Sequence, residues 1–226
     1  MSGVPRGVAR IALLAVLAVA AAGVLVVGVR FAFDYEYVYG LAPLFDLGRE
    51  ANVPTWISSA LLLLSGAALA IAGLRLREAR RPGAWWWLVL AAVLCLASLD
   101  ETANLHELLS RQARRQIQPG FGQLWVLLVG PPALVFLAVY ARFLARRDAG
   151  VRRPFALGAA LFVGGALGIE VVEIVLERRR SGELAVALTT LAQEIAELLG
   201  AVVLLHASLA QLDVVRTSEG APGPPH

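Results

Sequence analysis

Three stretches of an otherwise apolar chain carry groups able to do chemistry. "LASLDETANLHELLS" (96–110) holds Asp100, Glu101, Asn104, His106 and Glu107; "GALGIEVVEIVLERRR" (165–180) holds Glu170, Glu173 and Glu177; "LAQEIAELLG" (191–200) holds Gln193, Glu194 and Glu197. Carboxylates joined by an imidazole form a donor set for iron, manganese or zinc. Acids three residues apart, as in Glu170 with Glu173 and Glu194 with Glu197, present two ligands to the core of a helical bundle. The predicted ligands of a divalent metal are therefore Asp100, His106, Glu107, Glu170, Glu173, Glu194 and Glu197. The Glu-x-x-His pair of di-metal bundles is absent, and His106 is the single histidine near the set. Two other readings use the same residues. Carboxylates embedded in a membrane exchange protons near physiological pH and serve ion- or proton-coupled transport. Alternatively, the acids pair with Arg111, Arg114, Arg115 and Arg178 to Arg180, or cap helix ends, in a scaffold or accessory subunit.

The elements that must position these groups follow from composition. Of 226 residues, 58% are hydrophobic and 16% charged, and the mean hydropathy is +0.71. Such a chain belongs in lipid. Spanning a bilayer takes about 20 apolar residues per helix. Six segments qualify, near 11–33, 55–75, 84–109, 123–145, 154–176 and 186–210. The predicted fold is all-α: a six-helix transmembrane bundle over 1–212, with 213–226, ending in "RTSEGAPGPPH", as a disordered cytoplasmic tail. The apolar run from Ile11 to Val29 is longer than the roughly 7 to 15 residues of a signal h-region, so the first segment reads as a retained span. Cys95 is the one cysteine, which leaves neither a disulfide framework nor a thiolate metal site.

Arginine distribution orients the bundle. All 20 basic side chains are arginine. They concentrate at the amino terminus (Arg6, Arg10), in the loop with Arg75, Arg77, Arg80 and Arg81, and in the loop with Arg142, Arg146, Arg147, Arg152 and Arg153, with Arg111, Arg114, Arg115 and Arg178 to Arg180 a contrary minority. The positive-inside rule places the three concentrations in the cytoplasm, with both termini. The loop from Asp34 to Pro54 is acidic and belongs outside. Trp85 to Trp87 then mark an inner boundary, and Tyr35, Tyr37, Tyr39, Trp56 and Trp125 outer ones. At about 1.5 Å per residue from a midpoint near Cys95, Asp100 and Glu101 lie roughly 8 to 9 Å outward and His106 and Glu107 roughly 17 Å. Glu170, Glu173, Glu194 and Glu197 fall in the same half. At about 100° per residue, Asp100, Asn104 and Glu107 share a stripe that Glu101 leaves. A carboxylate facing hydrocarbon costs several kcal/mol, so these faces should turn inward around one polar site. Glu50 and Asn52, just before Pro54, would close it from outside. Pro131 and Pro132 free the carbonyls of Leu127 and Leu128. Gly66, Gly158, Gly164, Gly165 and Gly168 read as close helix packing.

"LFDLGREANVPTWISSALLLLSGAALA", "LASLDETANLHELLS" and "EIAELLGAVVLLHASL" together resemble an uncharacterised family of small six-span bacterial membrane proteins, over about Leu44 to Leu209. The resemblance implies a multi-pass protein of the bacterial inner membrane and no particular activity. The chain is similar, much more loosely, to the alkaline ceramidase superfamily of membrane hydrolases, whose zinc is held by histidines. Where those enzymes use paired histidines on a late helix, this sequence has His206 alone. Haem is not expected, because His106 and His206 lie nearly a leaflet apart. No Gly-rich phosphate loop suggests a nucleotide. The arginines sit in short loops and form no patch for nucleic acid. The expected partners are the lipid bilayer and, as an option for a small transporter, a second copy of the chain.

Overall fold

The computed structural model describes residues 3–33, 40, 42–105, 108, 124–169, 171–172, 175–176, 179 and 182–219. Among these every regular element is helical: α1 (Val4–Phe33), the short α2 (Ala42–Phe45), α3 (Val53–Glu78), α4 (Ala84–Ala103), α5 (Leu124–Ala145), α6 (Ala149–Val163) and α7 (Glu183–Glu219). A π-helical segment, Gly164–Ile169, continues α6.

Four helices are long and apolar enough to cross a membrane by length and composition: Val4–Phe33, Val53–Glu78, Ala84–Ala103 and Glu183–Ser218. A shorter apolar stretch, Val129–Ala145, lies within α5. Large apolar side chains face outward, with Leu134 and Val135 of α5 at 62% and 65% exposure and Trp56 of α3 at 72%. An outer surface of this kind is compatible with an integral membrane protein surrounded by lipid tails.

Helix α7 is the axis. It packs against α1, α3, α6 and the π segment, while α4 lies on α3. Small residues set these approaches. At Gly200 of α7, an added Cβ would stand 2.5 Å from the backbone nitrogen of Phe162, so α6 touches α7 backbone to backbone. Gly66 of α3 likewise faces Ala91 O and Cys95 Sγ of α4, at 3.0 and 2.6 Å from the position of a Cβ. Not every predicted glycine works this way: Gly158 and Gly165 are buried, whereas nothing lies near Gly164 and Gly168. The core is Val16, Leu62, Leu69, Trp87, Phe155, Leu198 and Leu205, drawn from α1, α3, α4, α6 and α7. Helix α5 joins through aromatic rings. Phe143 stacks on Trp86 at 5.2 Å and meets Trp87 at 5.3 Å, and Tyr140 donates its hydroxyl hydrogen to Trp86 O at 3.0 Å.

Antiparallel packing of α1, α4 and α6 on α3 and α7 brings the arginine-rich ends together. His206 of α7 lies beside Pro5 of α1, with Nδ1 3.5 Å from the carbonyl oxygen. Arg147 sits over Phe143 at the start of α4. The start of α1 and the C-terminal part of α7 therefore share one end of the bundle.

Three boundaries differ from the sequence expectation. The third segment is broken inside its expected span: α4 ends at Ala103, because Asn104 adopts a left-handed conformation (φ 55°, ψ 43°) and returns its N–H to Asp100 O, and helical residues resume at Leu105 and Leu108. Asparagine tolerates that conformation where most residues do not. The fifth segment loses its regular period at the π-helical Gly164–Ile169, so a 100° phase cannot be carried through it. The expected disordered tail at 213–226 starts too early. Helix α7 runs to Glu219, with Leu212 and Val215 packed on Ala68 and Ala72 of α3.

Candidate functional site

The last turn of α4, the first half of α7 and the loop before α3 enclose a cavity of about 380 Å³. Asp100 and Glu101 of α4, Thr190, Gln193, Glu194 and Glu197 of α7, and Arg49, Glu50 and Thr55 supply its polar lining. Phe162, Val163, Ala166 and Leu167 of α6 and the π segment, with Val129 and Ala133 of α5, supply the apolar wall. The described lining thus holds five carboxylates against one guanidinium. Glu197 is buried, Asp100, Glu101 and Glu194 are half-buried, and Glu50 is exposed at the rim.

Each contributing segment is fixed locally. Asn52 accepts from Thr55 N at 3.1 Å as the N-cap of α3, and donates through Nδ2 to Asp46 O at 2.6 Å and Arg49 O at 2.8 Å. Asp46 Oδ1 accepts from Gly48 N at 3.1 Å, and its Oδ2 lies 3.4 Å from Arg49 Nε. This knitted loop holds Arg49 and Glu50 at the cavity mouth. On α4, Ser59 of α3 reaches Ser98 O at 2.9 Å and Thr102 Oγ1 at 2.8 Å, while Ser98 Oγ donates to Ser59 O at 2.8 Å. The contacts bracket Asp100 and Glu101 and set their rotation about the helix axis. On the far wall, an added Cβ at Gly165 would stand 2.7 Å from Glu197 Cγ and 3.1 Å from Gln193 O, so the π segment lies directly on both residues.

Of the seven residues predicted from sequence, Asp100, Glu194 and Glu197 line this one cavity. His106, Glu107, Glu170 and Glu173 lie outside the described residues. Glu50 takes its predicted place at the mouth, but Asn52 is buried in capping α3 and does not line the cavity. Glu101, which the helical stripe turned away, lines it with Asp100, because the cavity meets the face of α4 that carries Ala97, with Asp100 and Glu101 one turn further on. Arg49 and Thr190 were not singled out in the sequence. Thr190 had a legible signal, since it precedes Glu194 by four residues and shares its face.

Among the described residues, no three of His, Cys, Asp and Glu come close enough to hold a metal ion. Within the cavity's described lining, Oε1 of Gln193 is buried with no hydrogen-bond partner. Buried polar atoms are satisfied in the large majority of cases, so an unpaired acceptor beside a cavity suits a ligand or a water able to donate.

A second, larger crevice of about 810 Å³ separates α5 from α6. It is lined mainly by apolar residues including Leu134, Phe136, Phe155 and Ala159, and it shares Val163 and Leu167 with the acid-lined cavity. The two spaces are therefore neighbours across a wall of two side chains.

Residues 10–212 match a family described as Domain of unknown function (DUF8692). The chain belongs to the DUF8692 family. The matched range reaches into every transmembrane candidate and spans the whole described lining of the acid-lined cavity, and it agrees with the resemblance to an uncharacterised family. No curated protein matches the chain, and no solved structure does.

Proposed function

We propose that this DUF8692 protein is a six-span protein of a bacterial inner membrane that binds a cation in the acid-lined cavity, on the outer side of the bilayer. The observation that carries the reading is the meeting of Asp100, Glu101, Glu194, Glu197 and Glu50, from three separate segments, around one cavity. Carboxylates gathered at the end of an apolar bundle supply the acceptor oxygens that a hydrated or N–H-bearing cation needs. The arginine-rich opposite end supports the orientation through the positive-inside rule.

The dimensions favour a cation with N–H donors or a hydrated ion over a naked metal. Zinc requires ligands at about 2.0 to 2.3 Å and calcium at about 2.3 to 2.6 Å. The cavity has room for a ligand of several heavy atoms, and Gln193 Oε1 awaits a donor. Direct coordination of zinc, manganese or iron, with chemistry at an open position, needs His106, Glu107, Glu170 or Glu173 to join Asp100, Glu194 and Glu197. Packing favours a one-sided site over a transport path. Below Glu197, Leu198, Ala201, Val202, Leu204 and Leu205 of α7 are all buried in the core, so about 16 Å of apolar contact separates the cavity from Ser208.

Calorimetric titration of the protein in lipid nanodiscs tests the reading, with Mn²⁺, Zn²⁺ and a series of alkylammonium ions as probes. Saturable binding of at least one probe, weakened tenfold or more in a Glu194→Gln, Glu197→Gln double variant, is expected, since each carboxylate lost removes on the order of 1.4 kcal/mol or more of attraction. Absence of binding by every probe contradicts it. If ammonium ions bind, affinity rising with chain length assigns the apolar crevice to the same ligand, each buried CH₂ adding about 0.8 kcal/mol.

A further inference from the structure

The opposite end of the bundle carries a groove with the reverse chemistry. It lies between α1, the start of α6 and the middle of α7, and encloses about 530 Å³. Arg6, Arg10 and Arg153 line it with His206, and its floor is Ala9, Leu13, Leu157 and Val202. Arg6 and Arg10 are four residues apart, so they stand one above the other on α1. Arg153 faces them from α6. All three arginines are exposed, and among the described residues no carboxylate pairs with any of them. Leu13 and Leu157 are 38% and 55% exposed, so the floor offers hydrocarbon below the charged rim.

We propose that this groove is a binding site for an anionic phospholipid of the cytoplasmic leaflet. Three guanidinium groups from two helices present planar donor forks suited to a phosphodiester. The apolar floor beneath them receives the first part of an acyl chain, an arrangement that only an amphiphile satisfies at both ends. Basic pockets between transmembrane helices on the cytoplasmic side hold anionic headgroups for the same reason. A zwitterionic lipid brings its own cation against the arginines and should be held less well, and free phosphate leaves the floor uncovered. The site is separate from the acid-lined cavity, because His206 lies nine residues beyond Glu197 on α7, about 14 Å along the axis. The lipid would hold the start of α1 to α6 and α7.

Native mass spectrometry of the detergent-solubilised protein, titrated with phosphatidylglycerol or with phosphatidylcholine of the same chains, tests the proposal. Wild type should retain phosphatidylglycerol about tenfold or more tightly than phosphatidylcholine, since each arginine near an anionic headgroup contributes roughly fivefold. An Arg6→Gln, Arg10→Gln, Arg153→Gln variant should lose that preference, and an Arg80→Gln, Arg81→Gln control should keep it. Leu157→Trp, which fills the floor with every arginine intact, should weaken phosphatidylglycerol retention and decides the matter if the triple variant does not fold. Equal retention of the two lipids by wild type, or unchanged phosphatidylglycerol retention in Leu157→Trp, would overturn the proposal. So would displacement of the lipid by millimolar inorganic phosphate, which would assign the arginines to a soluble anion.

Discussion

At the residue scale, the acids of the cavity differ in what surrounds them. Glu197 is the buried one and lies against Gly165 and Gln193; Glu50 sits exposed at the rim. Glu197→Gln should therefore weaken cation binding more than Glu50→Gln, a difference that calorimetry with the tightest probe reads directly. Gly165→Ala should perturb the site without removing a charge. Its new Cβ would stand 2.7 Å from Glu197 Cγ and 3.1 Å from Gln193 O, and only the side chain can give way. Overpacking of this kind costs about 1 to 3 kcal/mol, so the melting temperature in detergent should fall and cation affinity with it. Asn52→Ala removes the α3 cap and two bonds that shape the loop, and should cost about 1 kcal/mol. Residue types were the most legible feature of the sequence. Asp100, Glu194 and Glu197 could be picked out because carboxylates are rare within apolar runs. Arg49 could not, because an arginine beside a predicted membrane boundary looks like any other.

At the element scale, approach distances set by glycine carry the architecture. Gly200→Ala places a Cβ 2.5 Å from the backbone of Phe162, which has no rotamer with which to yield. The variant should lose more thermal stability than Gly164→Ala, whose Cβ meets nothing within 4 Å. Thermal unfolding of the two variants side by side measures the difference. Hydropathy located the helices well, since six apolar segments fall on α1, α3, α4, α5, α6 and α7. It placed their ends poorly. An apolar run does not show where a helix breaks, and Asn104 ends α4 through its backbone conformation, inside the expected segment, before helical residues resume at Leu105 and Leu108. A π segment is equally hidden from a 3.6-residue period, and it breaks that period over Gly164–Ile169. The C-terminal extension of α7 was missed because Val214 and Val215 sit among polar residues, and it is the packing of Val215 on α3 that continues the helix.

At the scale of the whole molecule, the described residues gather five acids and Arg49 around a cavity at one end of the bundle and three arginines along a groove at the other. With Cys95→Ala as background, single cysteines at Gly3 and Ser218 should be protected from an impermeant thiol reagent added outside intact cells. One at Gly48 should react. Labelling of all three, or of Ser218 alone, would contradict the shared side proposed for the start of α1 and the end of α7. The central claim is that the acids of α4 and α7 make one cavity attractive to cations, and the reaction rate of a cysteine placed inside it measures this most directly. In Glu194→Cys on the Cys95→Ala background, a cationic methanethiosulfonate should react about tenfold or more faster than an anionic one, after normalising each to a free thiol, because nearby carboxylates act with weak screening in a partly buried site. Adding Glu197→Gln should reduce that ratio. Equal rates, or a faster anionic reagent, would show that the carboxylates are neutralised within the protein and would contradict a cation site.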